Sequence, residues 1–90
     1  MTKAELVIAI AEKAGLNKIQ ARDALAAFQS SVTESLKAGR QVRLVGFGSF
    51  VPVRRAAGIS RNPKTGAKVN RAASTTARFR IGESLKNALN

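Results

Sequence analysis

The distribution of large apolar side chains limits where this chain can build a core. Of its 23 Leu, Ile, Val and Phe residues, only Ile59 and Val69 lie within residues 54–76. A segment this polar cannot bury enough apolar surface to offset the loss of chain entropy. The core must come from the flanking segments, and a chain of 90 residues predicts a single domain with a thin core.

The composition argues against catalysis. The chain contains neither Cys nor His, so disulfides, thiolate or imidazole metal ligands and the usual general base of nucleophilic catalysis are all absent. The five acidic residues show no spacing typical of a paired catalytic site. We expect no enzyme, no metal site and no cofactor.

No segment of the sequence predicts a membrane association. The first residues lack an apolar run flanked by cations and a small-residue cleavage site, and no apolar stretch reaches the length that a bilayer requires. A membrane-active amphipathic helix would carry cations on its polar face, whereas the predicted helical half is nearly neutral. We expect a soluble, cytoplasmic protein with no membrane partner.

The positive charge is concentrated in one half of the chain. The net charge is +11, and residues 40–90 hold eleven cations with Glu83 as their only anion, whereas residues 1–39 hold five cations and four anions. Solubility alone does not require such one-sided clustering. The second half is therefore predicted to bind a polyanion.

Two helices are predicted in residues 1–39. Thr2 opens a capping box ahead of apolar residues at helical spacing, and Gly15 can end that helix in the left-handed conformation. Asn17 opens a second capping box, and Gly39 ends the longer helix that follows. The short link predicts a helical hairpin. A DNA-reading helix-turn-helix is the alternative, but the few cations of the second helix are scattered around it.

A period of two replaces the helical period after Gly39. It predicts a β-hairpin whose tip is Gly46-Phe47-Gly48, a third strand at residues 77–81 with a half-buried and a cationic face, and a short terminal helix from residue 82 or 83 to 89. Phe47 is an unexpected residue for a turn, because large aromatic side chains prefer buried positions. It packs either on the chain's own helices or in a partner subunit.

The polar central stretch predicts a projecting arm. The second strand can continue through Arg55, and residues 68–73 can pair back toward the third strand, with a reversal at Asn62-Pro63-Lys64-Thr65-Gly66. A cationic ribbon of this kind suits a nucleic-acid groove. Pro63 is then either an ordinary turn proline or an apolar wedge that enters between base pairs and kinks the duplex.

Two motifs carry a resemblance to a known family. The segments Val45-Gly46-Phe47-Gly48-Ser49-Phe50 and Arg61-Asn62-Pro63-Lys64-Thr65-Gly66, with the helical hairpin and the Phe79 to Lys86 ending, resemble the HU and integration host factor family of bacterial histone-like DNA-binding proteins. The likeness covers essentially the whole chain. Proteins of this family are themselves an established example of minor-groove binding with an apolar wedge.

The resemblance implies an α+β fold: an N-terminal helical hairpin, a three-stranded antiparallel sheet with an extended two-stranded β-arm, and a short C-terminal helix, in an intertwined dimer. Residues 1–90 would form one DNA-binding domain, with a helical dimerisation half at 1–39, a sheet at 40–81 whose arm spans about 54–76, and a terminal helix at 82–90. The implied function is to bind duplex DNA largely without sequence specificity, bend it through the minor groove and compact it in the bacterial nucleoid. Bent, nicked or flexible DNA would be preferred.

The resemblance also implies residue roles. Contacts to DNA fall to Arg54, Arg55, Arg61, Asn62, Pro63, Lys64, Lys68 and Arg71 on the arm and to Lys3, Lys18, Arg80 and Lys86 on the body. Pro63 would intercalate. The aromatic core of a homodimer would consist of Phe28, Phe47, Phe50 and Phe79. Alternatives are one subunit of a sequence-preferring heterodimer with a homologous subunit and, from a different class, an RNA-binding protein.

Three positions depart from the family pattern. Gly58 stands where relatives often carry arginine, Ser60 where they often carry glycine, and Glu83 where lysine is common. Glu83 places an anion near the expected phosphate path, so we expect a weaker grip on DNA beyond the bend.

Overall fold

The computed structural model describes the backbone of residues 1–90 and every side chain except that of Ser60. The departure from the family pattern at Ser60 therefore concerns a side chain outside the described part of the chain. The chain divides into two compact units, Met1–Glu34 and Ser35–Asn90, which are described in turn.

The first unit is built from the two predicted helices. Helix α1 spans Lys3–Ala14, where the Thr2 hydroxyl accepts from the Glu5 amide at 3.2 Å and Gly15 adopts a φ of 68°. Helix α2 spans Lys18–Lys37, and its last three residues belong to the second unit. These caps satisfy backbone groups that a helix end leaves without a partner.

The second capping box is reciprocal. The Asn17 amide donates to the Gln20 side-chain oxygen at 3.1 Å, and the Gln20 amide donates to the Asn17 side-chain oxygen at 2.8 Å. Helix α2 therefore begins where the sequence predicts. After Lys37 the chain leaves the helix, and Gly39 takes a φ of 77°.

The first unit buries few apolar side chains, in agreement with the thin core that the length of the chain predicts. Ala11, Ala21 and Leu25 are buried, whereas the larger Ile8 and Ile19 are 42% and 64% exposed. Small side chains at the buried positions allow close approach but remove little apolar area from water.

The second unit contains five strands and a short helix. Strand β1 is Val42–Leu44, β2 is Gly48–Arg55, β3 is Gly58–Arg61, β4 is Lys68–Arg71, β5 is Ser74–Ile81 and helix α3 is Glu83–Leu89. Strands β1, β2 and β5 form an antiparallel sheet in the order β1-β2-β5, and β3 and β4 form a separate antiparallel pair.

The register gives the three-stranded sheet two different faces. Phe50 lies opposite Val42 on one side and Phe79 on the other, so these residues share an apolar face. Ser49 lies opposite Arg80, and the alternation of strand side chains places both on the other face.

Helix α3 is tied to the turn between β1 and β2. The Gly82 amide donates to the Phe47 carbonyl at 2.7 Å, and the Leu85 amide donates to the Gly46 carbonyl at 3.0 Å. A Cβ atom on Gly82 would lie 2.6 Å from the Gly46 carbonyl carbon, a separation that excludes any side chain. The glycines of this region therefore let the turn and the helix approach each other closely.

The predicted α+β class is confirmed, but one strand boundary was wrong. Strand β5 begins at Ser74 rather than residue 77, because Ser74 and Thr75 still pair with Arg55 and Arg54. Within the segment predicted to form the arm, about 54–76, the strands are interrupted at residues 56–57 and 72–73. Both interruptions are Ala-Ala pairs, whose short side chains add little cross-strand contact.

Candidate nucleic-acid interface

The arm, defined here as residues 58–71, carries cations on both of its faces. In its register Arg61 lies opposite Lys68 and Gly58 lies opposite Arg71. Side chains alternate along a strand, so Arg61 and Lys68 share one face and Arg71 lies on the other. All three side chains are exposed. The ribbon is therefore cationic whichever face meets a polyanion.

The turn at the end of the arm is ordered by its own hydrogen bonds. The Asn62 amide donates to the Ala67 carbonyl at 2.8 Å, the Gly66 amide donates to the Asn62 carbonyl at 2.7 Å, and the Lys64 amide donates to the Asn62 side-chain oxygen at 2.9 Å. Gly66 has a φ of 70°, which favours glycine. Pro63 lies inside this turn and is exposed, and it has no amide hydrogen to satisfy.

A second cationic surface lies on the three-stranded sheet. Arg43, Arg78 and Arg80 lie on the same face, because Ser49 opposes both Arg43 and Arg80 while Val51 opposes Arg78. Arg55 lies on the same face, two residues beyond Val53 on β2. We call these four arginines the cationic sheet face.

Sequence reasoning found only half of the cationic sheet face. Arg55 and Arg80 were predicted to contact DNA, whereas Arg43 and Arg78 were not. The signal was available in the alternation of residues 77–81, which assigns Arg78 to the face of Arg80. Arg54, by contrast, pairs with Thr75 on the face of Phe50 and Phe79, so the adjacent predicted residues Arg54 and Arg55 point to opposite sides of the ribbon.

Acidic residues are almost absent from the part of the sequence that contains these arginines. Between residues 40 and 82 the sequence contains no acidic residue. The exception next along the chain is Glu83, which lines a depression of about 560 Å³ together with Arg43 and Arg80. Glu83 is the one acidic residue among those that line this depression.

The four cations predicted on the body fall in different units. Lys3 and Lys18 lie in the first unit, where they line a groove between α1 and α2 together with Arg22. Arg80 lies on the cationic sheet face, and Lys86 lies in the last turn of α3. Arg22 was not among the predicted contacts.

Three of the four phenylalanines form an aromatic cluster, defined as Phe47, Phe50 and Phe79. The Phe47 and Phe79 ring centres are 5.7 Å apart at 64°, and those of Phe50 and Phe79 are 5.1 Å apart at 57°. Phe47 and Phe79 are nevertheless 49% and 44% exposed. Phe28, on α2, is 41% exposed. The cluster is therefore packed on one side and open on the other.

The described residues hold no group of three or more acidic side chains that could bind a metal ion. In the same part of the chain, no helix is both long and apolar enough to cross a bilayer.

Comparison with known proteins gives one consistent answer. The family model described as bacterial DNA-binding protein matches residues 1–90. The DNA-binding protein HU of Caulobacter vibrioides is 68% identical over 89 residues, which are 99% of this chain and 97% of that protein. HU-alpha of Vibrio proteolyticus is 49% identical over 99% of both chains.

The structural comparison agrees. The Anabaena HU–DNA cocrystal structure matches with a TM-score of 0.85 and 40% identity, over 99% of this chain and 97% of the Anabaena chain. A match of this quality over the whole length, together with the family model, confirms the resemblance that the two motifs indicate. This chain belongs to the bacterial DNA-binding protein family.

Proposed function

We propose that this histone-like architectural DNA-binding protein acts as a homodimer whose two arms enter the minor groove and bend the duplex, with Pro63 as the wedge. Residues 1–90 act as one DNA-binding domain in this proposal. The protein binds duplex DNA largely without sequence preference, compacts it, and associates with the bacterial nucleoid.

The observation that carries the proposal is the arrangement of the arm. An exposed proline stands in an ordered turn between strands whose exposed cations occupy both faces. Cationic side chains bind phosphates and are drawn to the negative potential of a narrow minor groove. An apolar ring without an amide hydrogen can enter a base step and unstack it. The Anabaena HU structure is a cocrystal with DNA, which supports the same partner for this chain.

The chemistry of the arm favours phosphate contact over base readout. Its long side chains are mainly Arg and Lys, and contacts to phosphates fix position without reading sequence. Binding should therefore be strongly salt-dependent, with log affinity falling against log salt by about 0.9 for each phosphate neutralised. DNA that is already nicked, flexible or bent should bind better, because part of the deformation cost has been removed.

The exposed apolar side chains support the homodimer. Phe47 and Phe79, whose rings are in contact, are each about half exposed, and Val45, which lines a depression together with Phe47, is 88% exposed. A monomer rarely leaves such a contiguous apolar patch in water. A second copy that covers the aromatic cluster would supply the core that a chain of this length lacks.

The test is fluorescence energy transfer between the ends of a short duplex of arbitrary sequence, titrated with the native chain and with Pro63→Ala. We expect the native chain to shorten the end-to-end distance and the variant to shorten it less, because alanine removes the wedge. Pro52→Ala is the matched control, since Pro52 lies in β2 opposite Ala77, away from the turn. Binding without shortening by the native chain would refute the bending mechanism.

The same preparations separate the alternatives. A purified chain that forms no binding-competent dimer by itself would indicate a heterodimer subunit. Arms that fit the DNA minor groove should discriminate against A-form RNA, whose grooves have different widths. Equal competition by RNA and DNA duplexes would therefore indicate a protein that coats nucleic acids in general.

A further inference from the structure

The groove on the first unit has no role in the bending mechanism. It lies between α1 and α2, has a volume of about 550 Å³, and so falls within the range of about 300–1,000 Å³ typical of ligand sites. We call it the hairpin groove. Its lining includes three aliphatic and three cationic side chains: Val7, Ile8, Ile19, Lys3, Lys18 and Arg22.

The aliphatic part of the hairpin groove is open to water. Ile8 is 42% exposed and Ile19 is 64% exposed, although both are large enough to contribute to a core. Burial of such side chains by a bound molecule would release the water around them. An occupant with apolar side chains is therefore favoured over one that is polar throughout.

The charged part of the hairpin groove selects an anion. Lys3, Lys18 and Arg22 are exposed, and no acidic residue lines the groove. Lys18 and Arg22 are four residues apart on α2, so they lie on one face of that helix. Their charges are close enough to act together on one bound segment.

An occupant of the hairpin groove has to satisfy both parts at once. A phosphate backbone would meet the cations but leave the isoleucines in water, and a neutral apolar helix would cover the isoleucines but bury cations without partners. An amphipathic helix with an apolar stripe and flanking carboxylates matches both, in the helix-in-groove mode of recognition.

We propose that the hairpin groove is a docking site for an acidic amphipathic helix of a partner protein. Binding through this groove does not depend on the bending mechanism. One consequence does rest on the proposed function: Lys3 and Lys18 are also predicted to contact DNA beyond the bend, so a docked helix competes with flanking DNA while leaving the arms free.

The test measures peptide binding without any DNA. The probe is a synthetic helical peptide with leucines along one face and glutamates beside them, followed by fluorescence anisotropy. A peptide of the same composition, scrambled so that leucines and glutamates do not segregate, serves as the reference. We expect the native chain to prefer the amphipathic peptide, because only that peptide presents apolar and acidic groups together.

Matched variants locate the site. Ile19→Gln should weaken binding by about tenfold, whereas Ile59→Gln should leave it unchanged, since both isoleucines are similarly exposed at 64% and 67% but only Ile19 lines the groove. Arg22→Gln should weaken binding by about threefold at low salt, and Lys13→Gln, which removes an exposed cation outside the groove, should have a smaller effect. Circular dichroism checks that each variant keeps its helices.

Four results would overturn the proposal. They are equal affinity for the two peptides, equal loss in Ile19→Gln and Ile59→Gln, binding to phosphatidylglycerol vesicles without binding to the peptide, and self-association of the chain that Ile19→Gln weakens. The last two would assign the groove to a lipid surface or to a second copy. None of these results touches the DNA-bending test, which uses Pro63 and the arm.

Discussion

The three-stranded sheet and the arm are both antiparallel, yet they are stabilised in different ways. The sheet has one apolar face, built around Phe50 and Phe79, and its turn is hydrogen-bonded to α3. The arm has exposed cations on both faces, and its two large apolar residues, Ile59 and Val69, are 67% and 49% exposed. An isolated two-stranded ribbon is marginal in water. The sheet therefore supplies stability, whereas the arm adds little stability of its own.

The largest expected effect follows from the aromatic cluster. Phe79→Ala removes the ring that contacts both Phe47 and Phe50, so we expect the free energy of unfolding to fall by about 3 kcal/mol. Urea unfolding at a fixed protein concentration measures this free energy, because the stability of the proposed homodimer would depend on concentration.

The arm provides the control for that experiment. Ile59→Ala removes a large apolar side chain from a ribbon that does not bury it, so the unfolding free energy should change by less than about 0.5 kcal/mol. A comparable loss in both variants would show that the arm and the sheet share one core, and the distinction between the two regions would be wrong.

The second effect is on DNA binding rather than stability. Arg61→Ala removes an exposed cation opposite Lys68 from each arm of the proposed homodimer. The slope of log affinity against log salt should therefore become shallower by about 0.9 for each lost phosphate contact, or about 1.8 for the two arms together. Stability should be unaffected, since the side chain is exposed. Binding isotherms over a series of salt concentrations measure the slope.

Lys13→Ala is the matched control, because Lys13 is an exposed cation in the last turn of α1 and was not predicted to contact DNA. An unchanged slope in Arg61→Ala, or an equal change in the control, would remove Arg61 from the interface and leave only a general effect of net charge.

The sheet and the arm also differ in how much of them the sequence predicts. Local signals located the caps at Thr2 and Asn17 and the turn at Asn62, because each depends on side-chain hydrogen bonds within a few residues. The resemblance to the family and the expectation that the chain is not an enzyme were confirmed by the family match. The interruption of the arm at its Ala-Ala pairs was missed, because alanine neither prevents nor specifies a strand.

The sequence could not predict the parts of the interface that depend on pairing between distant strands. The cationic sheet face requires the register that places Ser49 between Arg43 and Arg80, and a shift of one residue would send these arginines to the opposite face. The hairpin groove likewise requires two helices together. Composition revealed the charge of the second half of the chain but not which of its cations lie side by side. It gave no sign that Lys3, Lys18 and Arg22 share a groove in the nearly neutral first half.

The smallest expected effect concerns Glu83, the acidic residue that lines a depression with two arginines of the cationic sheet face. Glu83 lines the same depression as Arg43 and Arg80, so Glu83→Lys replaces a local anion with a cation on the expected path of flanking DNA. Because exposed charge pairs contribute little and are screened by salt, we expect affinity for a duplex extending beyond the arm site to rise on the order of threefold at low salt. Affinity for a duplex that ends at the arm site should change less. Glu12→Lys makes the same change of charge at an exposed position of α1 and corrects for net charge. If the two variants gain equally on the long duplex, or neither gains, Glu83 does not lie on the DNA path, and contact with DNA is confined to the arm and the adjoining arginines.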